Sequence, residues 1–221
     1  MIQIAKSVRT IYLVRHAESI KNLENIHGGK GDILTAKGIE QLPAIIERII
    51  ASSPINSNNS IIFHSQSVQT YETAFRLAEN MKLKIVKTDL LNSVYLGKLN
   101  DLSDENAKRL YPTEHALMTE WRARKIEIAD LKPIGIESPI AYWNKGIEFV
   151  SSLVKENNIV ICSTSTMIML THLLIGNSTL SGGGYKNIPI KNAQIICFNI
   201  NSEKIFINRI NTDNDLMEFL M

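Results

Sequence analysis

The fold of this chain is decided by the stretch Ile11-Tyr12-Leu13-Val14-Arg15-His16-Ala17-Glu18-Ser19. Its first four residues form a continuous apolar run, which is typical of a strand covered on both faces of a sheet. At the end of that strand, Arg15 presents a planar fork of donors that suits phosphate or carboxylate. His16 can serve as a nucleophile toward phosphorus or as a proton carrier. The pair therefore favours an anion site, and the alternative is a strand end with two solvated polar residues.

Length and composition indicate one soluble domain that spans residues 1–221. The chain is 44% hydrophobic and 21% charged, which are globular values. Its net charge of +2 is small and dispersed, and this argues against nucleic acid or a membrane as a partner. Neither a secretory signal nor an apolar run of membrane-spanning length is evident, so we expect a cytoplasmic protein. Cys162 and Cys197 lie in apolar runs and are expected to be buried, reduced thiols.

The chain alternates between strand and helix patterns. Strands are predicted at 11–14, 60–64, 83–87, 159–163, 193–200 and 204–210, and helices at about 35–52, 67–81, 103–111, 137–156 and 165–176. We expect Thr35 to cap the first of these helices and Pro43 to kink it or to mark a later start. The alternation predicts an α/β three-layer sandwich, with a mostly parallel central sheet flanked by helices. Ligands of such sheets bind beyond the carboxyl ends of the strands, where His16 lies.

Several motifs together resemble a known family. Leu13–Ser19 with Asn22 after it is similar to the signature of the histidine phosphatase (phosphoglycerate mutase-like) superfamily, and Asp32–Gln41 matches that family's D-x-x-L-T-x-x-G-x-x-Q segment. Later segments follow in the family's order, namely Gly97–Leu99, Glu137-Ser138 and Asn192-Ala193. The resemblance implies a phosphoglycerate mutase-like fold and phosphoryl-transfer chemistry without a metal or other cofactor. It also implies that His16 is the nucleophile, that Arg15 is the first phosphate-binding arginine, and that Asn22 is a further phosphate or loop contact.

Three positions depart from the family pattern. Gln69 stands where the family has its second phosphate-binding arginine, Thr164 where it has its second histidine, and Ser93 where it has its acidic proton donor. All three are uncharged groups that can form hydrogen bonds, so the resemblance implies a pocket that has lost charge without becoming apolar. We therefore predict that Arg15, Asn22, Gln69 and Thr164 bind an anion beside His16, and that Ser93 marks a degenerate acid position.

Nearby residues could compensate for these losses. His64 ends the second predicted strand and could turn toward the pocket or have a local role in its loop. Glu18, Asp101 and Glu137 are conceivable replacement acids, although Glu137 also suits a helix-start role.

The remaining histidines offer no obvious metal site. His27 and His115 are expected to be solvated, and no His/Asp/Cys cluster stands at ligand spacing, so no metal is predicted.

Three hypotheses about function follow from this pattern. The first is a protein that binds a phosphorylated or anionic small molecule and is catalytically impaired, because each lost charge-stabilising donor typically costs about 10²–10³ in rate. The second is a slow or repurposed phosphomonoester hydrolase or phosphotransferase that uses His16. The third is a non-catalytic interaction protein. The sequence leaves the oligomeric state open, including a homo-oligomer.

Overall fold

The computed structural model describes residues 10–52, 55, 58, 60–123, 125–126, 128–153, 158–163, 170, 190–201 and 204–209. The strands within these ranges are β1 (Thr10–Arg15), β2 (Ser60–His64), β3 (Lys84–Lys87), β4 (Asn158–Ser163), β5 (Ile195–Asn201) and β6 (Lys204–Arg209). The α-helices are α1 (Ile20–Leu23), α2 (Ala36–Ser52), α3 (Val68–Met81), α4 (Asp104–Leu110), α5 (Pro112–Arg122) and α6 (Pro139–Ser152). Short 3-10 helices cover Asp89–Leu91, Gly97–Leu99 and Ile128–Ile134.

The strands form one mostly parallel sheet in the order β3-β2-β4-β1-β5-β6. The first four of these strands pair in parallel, whereas β5 and β6 extend the sheet in antiparallel pairing. In the register, Val14 of β1 lies opposite Cys162 of β4, and Cys162 lies opposite His64 of β2. The strands that carry His16 and His64 therefore end at the same edge of the sheet.

Both faces of the sheet are covered, which confirms the expected central layer between helices. Ile11 and Leu13 belong to one buried cluster, together with Phe149 of α6. Tyr12 and Val14 belong to a second cluster on the opposite face, together with residues of α2 and α3. Because alternate side chains enter two different cores, every position from Ile11 to Val14 must be apolar, and this explains the uninterrupted apolar run there.

The start of α2 confirms one prediction and corrects another. The hydroxyl Oγ1 of Thr35 accepts the backbone N–H of Gly38 at 2.9 Å, as expected of an N-cap. The helix begins at Ala36 and continues through Pro43 to Ser52, so a later start is wrong. Proline removes a hydrogen bond to the carbonyl of Ile39, whose side chain is on an exposed part of the helix. Water can replace that bond there.

Two helices were absent from the prediction. α1 is a single short turn after β1. α4 ends at Leu110, and α5 begins at Pro112 after the single residue Tyr111. Proline suits the first position of a helix because its missing N–H would have no partner there. The helix predicted at about 165–176 lies, apart from Leu170, outside the described residues.

Two further expectations concern burial. Cys197 is buried, and burial raises the pKa of its thiol to about 12, which fits an inert thiol. The side chain of Cys162 lies outside the described set. None of the helices in the described ranges has the length and hydropathy needed to cross a membrane.

Candidate functional site

His16 follows β1 directly and is almost fully buried, with 2% of its surface exposed. Its Nδ1 lies 2.7 Å from the carbonyl oxygen of Ala17. Since a carbonyl can only accept, Nδ1 carries the hydrogen, and Nε2 of the neutral ring keeps its lone pair. Burial, followed by the charge of Arg15, lowers the pKa of His16 to about 3. The imidazole is therefore neutral at ordinary pH, with Nε2 unprotonated.

The backbone around His16 is held by two other segments. The N–H of Ala17 donates to Oγ1 of Thr73 on α3 at 3.1 Å. The carbonyl of His16 accepts the backbone N–H of Ala193 and the side-chain amide of Asn192, each at 3.2 Å. Contacts on both sides of the chain therefore fix the backbone that carries the imidazole.

Asn22 lies beside this backbone with its orientation set by three hydrogen bonds. Its Oδ1 accepts from the N–H and the hydroxyl of Ser19 and from Nδ2 of Asn192, each at 3.0 Å. With the oxygen committed to these donors, the amino group of Asn22 forms no hydrogen bond to any residue that the structure describes. Asn22 therefore positions the loop and keeps a donor available, and its predicted role toward an anion stays a prediction.

Arg15 is the last residue of β1 and is half-buried. Its Nη1 donates to the carbonyl oxygen of Ile190, and its backbone N–H donates to Gln194 at 2.9 Å. These contacts join Arg15 to the segment that leads into β5. Its charge acts on the imidazole next to it and helps to keep that ring neutral.

Gln69 lies in the first turn of α3, where the family pattern has an arginine, and is 4% exposed. Its Oε1 accepts the backbone N–H of Asp32 at 3.2 Å. A Cβ atom on Gly31, whose φ is +87°, would lie 1.7 Å from the same oxygen. The carboxamide is therefore packed against the Gly31–Asp32 backbone, and an anion-binding role for it stays a prediction.

Of the two other positions that depart from the family pattern, Ser93 lies within the described residues and Thr164 does not. Ser93 is half-buried between the 3-10 helices Asp89–Leu91 and Gly97–Leu99, and it offers a hydroxyl without charge. Thr164 follows β4 and lies outside the described residues.

His64 repeats the arrangement of His16 at the end of β2. It is buried, and its Nδ1 lies 2.7 Å from the carbonyl oxygen of Ser65. Burial lowers its pKa, so the neutral ring presents a lone pair at Nε2, which cannot donate to an anion. In the register of the sheet, His64 lies at the level of Val14, two residues before His16. β4 lies between β1 and β2 and separates these two strands by about 10 Å across the sheet.

The three conceivable replacement acids are all engaged elsewhere. Glu18 pairs with Lys37 at 3.0 Å, and that hydrogen bond is the main reason that its pKa is lowered. Glu137 forms an ion pair with Lys145, and Asp101 accepts a hydrogen bond at 2.9 Å from the amide of its neighbouring asparagine. A general acid must reach the leaving oxygen, and these contacts hold the three carboxyl groups on other partners, so this geometry favours none of them.

The expectation that His27 and His115 are solvated is wrong. His27 is 0% exposed and the side chain of His115 is 13% exposed, and both lie beside Asp104. The three residues come from distant parts of the chain, so no sequence spacing could have indicated the group.

Comparison with known proteins is consistent with this fold. The family model of the histidine phosphatase superfamily (branch 1) matches residues 11–213. The 2,3-bisphosphoglycerate-dependent phosphoglycerate mutase 2 of Lactobacillus johnsonii is 29% identical over 121 residues, which are 53% of this chain and 51% of that protein. The chain thus matches about half the length of this relative.

Solved structures show the same fold at low sequence identity. The alpha-ribazole phosphatase of Shigella flexneri superposes with a TM-score of 0.72 at 19% identity, over 92% of this chain and 96% of that one. A mycobacterial glucosyl-3-phosphoglycerate phosphatase gives 0.70 at 18% identity, over 91% and 98%. A phosphoglycerate mutase of Bacillus anthracis gives 0.70 at 15% identity, over 97% and 96%.

Proposed function

We propose that this chain, which belongs to the histidine phosphatase superfamily (branch 1), binds a phosphorylated or anionic small molecule at Arg15 and His16 with little or no turnover. The observation that carries the proposal is the position of Gln69. Its carboxamide is hydrogen-bonded to the Gly31–Asp32 backbone where the family pattern supplies a second cation. Arg15 remains as a cation that can bind the anion, whereas Gln69 supplies no charge at the position of the family's second arginine.

The chemistry of phosphoryl transfer explains why this matters. The transferring group concentrates negative charge on its oxygens, and positioned cations and donors stabilise it in the transition state. Losing an arginine and a histidine from such a pocket would cost about 10⁴ in rate or more, although these effects are not additive. Binding of a ground-state anion is less demanding, and Arg15 with the amino group of Asn22 suits a monoanion or a loosely held sugar phosphate.

The relatives support the class of ligand. The similar structures named above include phosphatases and a mutase whose names specify phosphorylated small molecules. Identities of 15–19% carry only the fold, so the ligand class is part of our proposal. We extend the phosphorylated ligand and not the reaction because Arg15 and His16 are present, whereas Gln69 supplies no charge.

Slow phosphomonoester hydrolysis is a second candidate, and the hydrogen bond from His16 to Ala17 favours it. That bond leaves the Nε2 lone pair able to attack phosphorus. The new N–P bond would form as the ester P–O bond breaks, and the leaving oxygen would take its proton from solvent. Water would then hydrolyse the phosphohistidine, releasing phosphate and returning a neutral ring.

Two measurements test the proposal on the full chain. The first is the thermal midpoint with and without phosphate and vanadate, for the wild type, Arg15→Gln and the control Arg109→Gln. Arg109 is exposed and bonds only to a neighbouring asparagine within the described residues, so its loss should change nothing. We expect both anions to raise the midpoint in the wild type and the control, and neither to do so in Arg15→Gln.

The second measurement is hydrolysis of p-nitrophenyl phosphate by the wild type and His16→Ala. Hydrolysis above background that vanishes with His16 would replace the binding proposal by the slow-enzyme candidate. If no anion changes the midpoint of the wild type and no hydrolysis depends on His16, both candidates are overturned and the interaction-surface hypothesis is favoured.

A further inference from the structure

A second constellation of reactive side chains lies outside the His16 site. His27 comes from the segment between α1 and α2, Asp104 is the first residue of α4, and His115 lies on α5. Oδ1 of Asp104 is 3.4 Å from Nε2 of His27 and 3.0 Å from Nε2 of His115. All three ligand atoms lie within 4.8 Å of one another, and they are the only such group of three or more among the described residues.

We propose that these three side chains form a binding site for a divalent transition metal of the zinc class. Two imidazole nitrogens and one carboxylate oxygen are a ligand set typical of Zn²⁺. Bonds of about 2.0–2.1 Å in tetrahedral geometry place neighbouring ligand atoms about 3.3 Å apart. The distances of 3.0 and 3.4 Å from the shared oxygen bracket that value.

The burial of the three residues suits an ion that enters from one side. His27 is completely buried, the side chain of His115 is 13% exposed, and that of Asp104 is 48% exposed. Solvent therefore reaches the cluster beside the carboxylate, where a water molecule can supply the fourth ligand. Mg²⁺ and Ca²⁺ prefer oxygen ligands, so two imidazoles select against them.

The backbone brings His27 and Asp104 together by hydrogen bonds of its own. The N–H of His27 donates to Leu102 at 2.8 Å, and its carbonyl accepts from Asp101 at 2.7 Å. The N–H of Asp104 donates to the carbonyl of Asn25 at 3.1 Å. These bonds tie the segment around His27 to the start of α4. The site is therefore preorganised for an ion, and little chain entropy is lost on binding.

The location predicts a structural role for the ion. The segment that begins at His27 continues to Lys30, whose carbonyl accepts the N–H of Val68 at 3.1 Å, and to Asp32, which is bonded to Gln69. An ion on His27 would link this segment to α4 and α5. Because it would bind only the folded chain, it should raise thermal stability by mass action.

The experiment uses the full chain, freed of any histidine tag and of metal by a chelator. Zn²⁺ should bind at one ion per chain in a chelator competition and raise the thermal midpoint, while Mg²⁺ at the same concentration does neither. Co²⁺ should give the visible absorption bands of a site with nitrogen ligands. Asp104→Asn and His115→Gln should each weaken Zn²⁺ binding by at least about 10-fold, since loss of even an outer-sphere partner costs that much.

Glu105→Gln is the matched control, because it removes a neighbouring carboxylate in the same helical turn without touching the group. It should bind Zn²⁺ as the wild type does. Absence of binding by the wild type at about 100 μM Zn²⁺ would overturn the proposal, as would equal weakening by Asp104→Asn and Glu105→Gln. Should His115→Gln fail to fold, Asp104→Asn still decides the matter, because its half-exposed side chain can change without opening the core.

Discussion

The side-chain oxygen Oε1 of Gln69 accepts the backbone N–H of Asp32 at 3.2 Å. This contact joins the first turn of α3 to the segment that enters α2, at the position where the family pattern has an arginine. The same carboxamide occupies the space next to Gly31 that a Cβ atom would need. Gln69 therefore has a structural role in this chain.

Gln69→Ala should lower the free energy of unfolding by about 1–3 kcal/mol. The substitution leaves the N–H of Asp32 without its acceptor and opens a gap at a buried position. Glu79→Ala is the control, because Glu79 is exposed on the same helix and its side chain forms no hydrogen bond to a described residue, so its loss should cost within about 0.5 kcal/mol. Urea unfolding of both variants measures the difference, and equal costs would show that Gln69 does not secure the loop.

Gly31→Ala should be more destabilising than Gly135→Ala. Both glycines have positive φ, +87° and +74°, so an alanine strains the backbone at either position by about 1–2 kcal/mol. At Gly135 nothing lies within 4 Å of the added Cβ, whereas at Gly31 it displaces the Gln69 carboxamide. Gly31→Ala should therefore cost about 1–3 kcal/mol more, through the lost hydrogen bond.

A double-mutant cycle separates the two causes. In Gly31→Ala/Gln69→Ala the hydrogen bond to Asp32 can be lost only once, so the combined cost should be smaller than the sum of the single costs. Strict additivity in urea unfolding would contradict the contact between Gly31 and Gln69.

Acid should destabilise the fold through His16. Its pKa is about 3 in the folded chain against an ordinary 6.5, because burial and then Arg15 disfavour the charged ring. Below pH 6.5, His16 is protonated in the unfolded chain but not in the folded chain. The free energy of unfolding therefore decreases as the pH is lowered from 6.5 to about 3. The contribution vanishes above pH 6.5.

At 1.36 kcal/mol per pH unit, this linkage costs about 2 kcal/mol between pH 6.5 and pH 5. We expect His16→Gln to lose about 2 kcal/mol less than the wild type between pH 7.5 and pH 5.0 in urea unfolding. Arg109→Gln should follow the wild type. A His16→Gln variant with the wild-type pH dependence would mean that the pKa of His16 in the folded chain equals its ordinary value.

Restoring the missing charges should restore turnover. Gln69→Arg with Thr164→His returns a cation and a second histidine to the positions that the family pattern gives them, and each such group typically contributes about 10²–10³ in rate. We expect the double variant to hydrolyse p-nitrophenyl phosphate at least about 10²-fold faster than the wild type. Adding His16→Ala to the double variant should abolish the gain. A folded double variant without any gain would show that charge is not what limits catalysis.

The strands were predictable because a strand that is covered on both faces leaves a continuous apolar run in the sequence. β1, β2 and β4 are covered on both faces, so their apolar runs are continuous and their ends coincide with polar residues. α5 escaped prediction because Pro112 can end one helix or begin another, and only packing distinguishes the two.

The group of His27, Asp104 and His115 could not be predicted for a different reason. The residues are far apart in the chain and come together through hydrogen bonds between backbone segments, for which the sequence carries no spacing signal. The burial of His64 could not be predicted from the sequence either, since a histidine at a strand end can face the solvent or the core.

The sequence by itself determined the α/β fold, the family and the place of the Arg15–His16 pair at a strand end, because periodicity and motif order are properties of the chain. Only the tertiary structure decided the protonation state of His16 and the role of Gln69 as the hydrogen-bond acceptor of the Asp32 N–H. Burial and hydrogen-bond partners set the pKa of a side chain and the direction in which it points, and these partners come from segments distant in sequence.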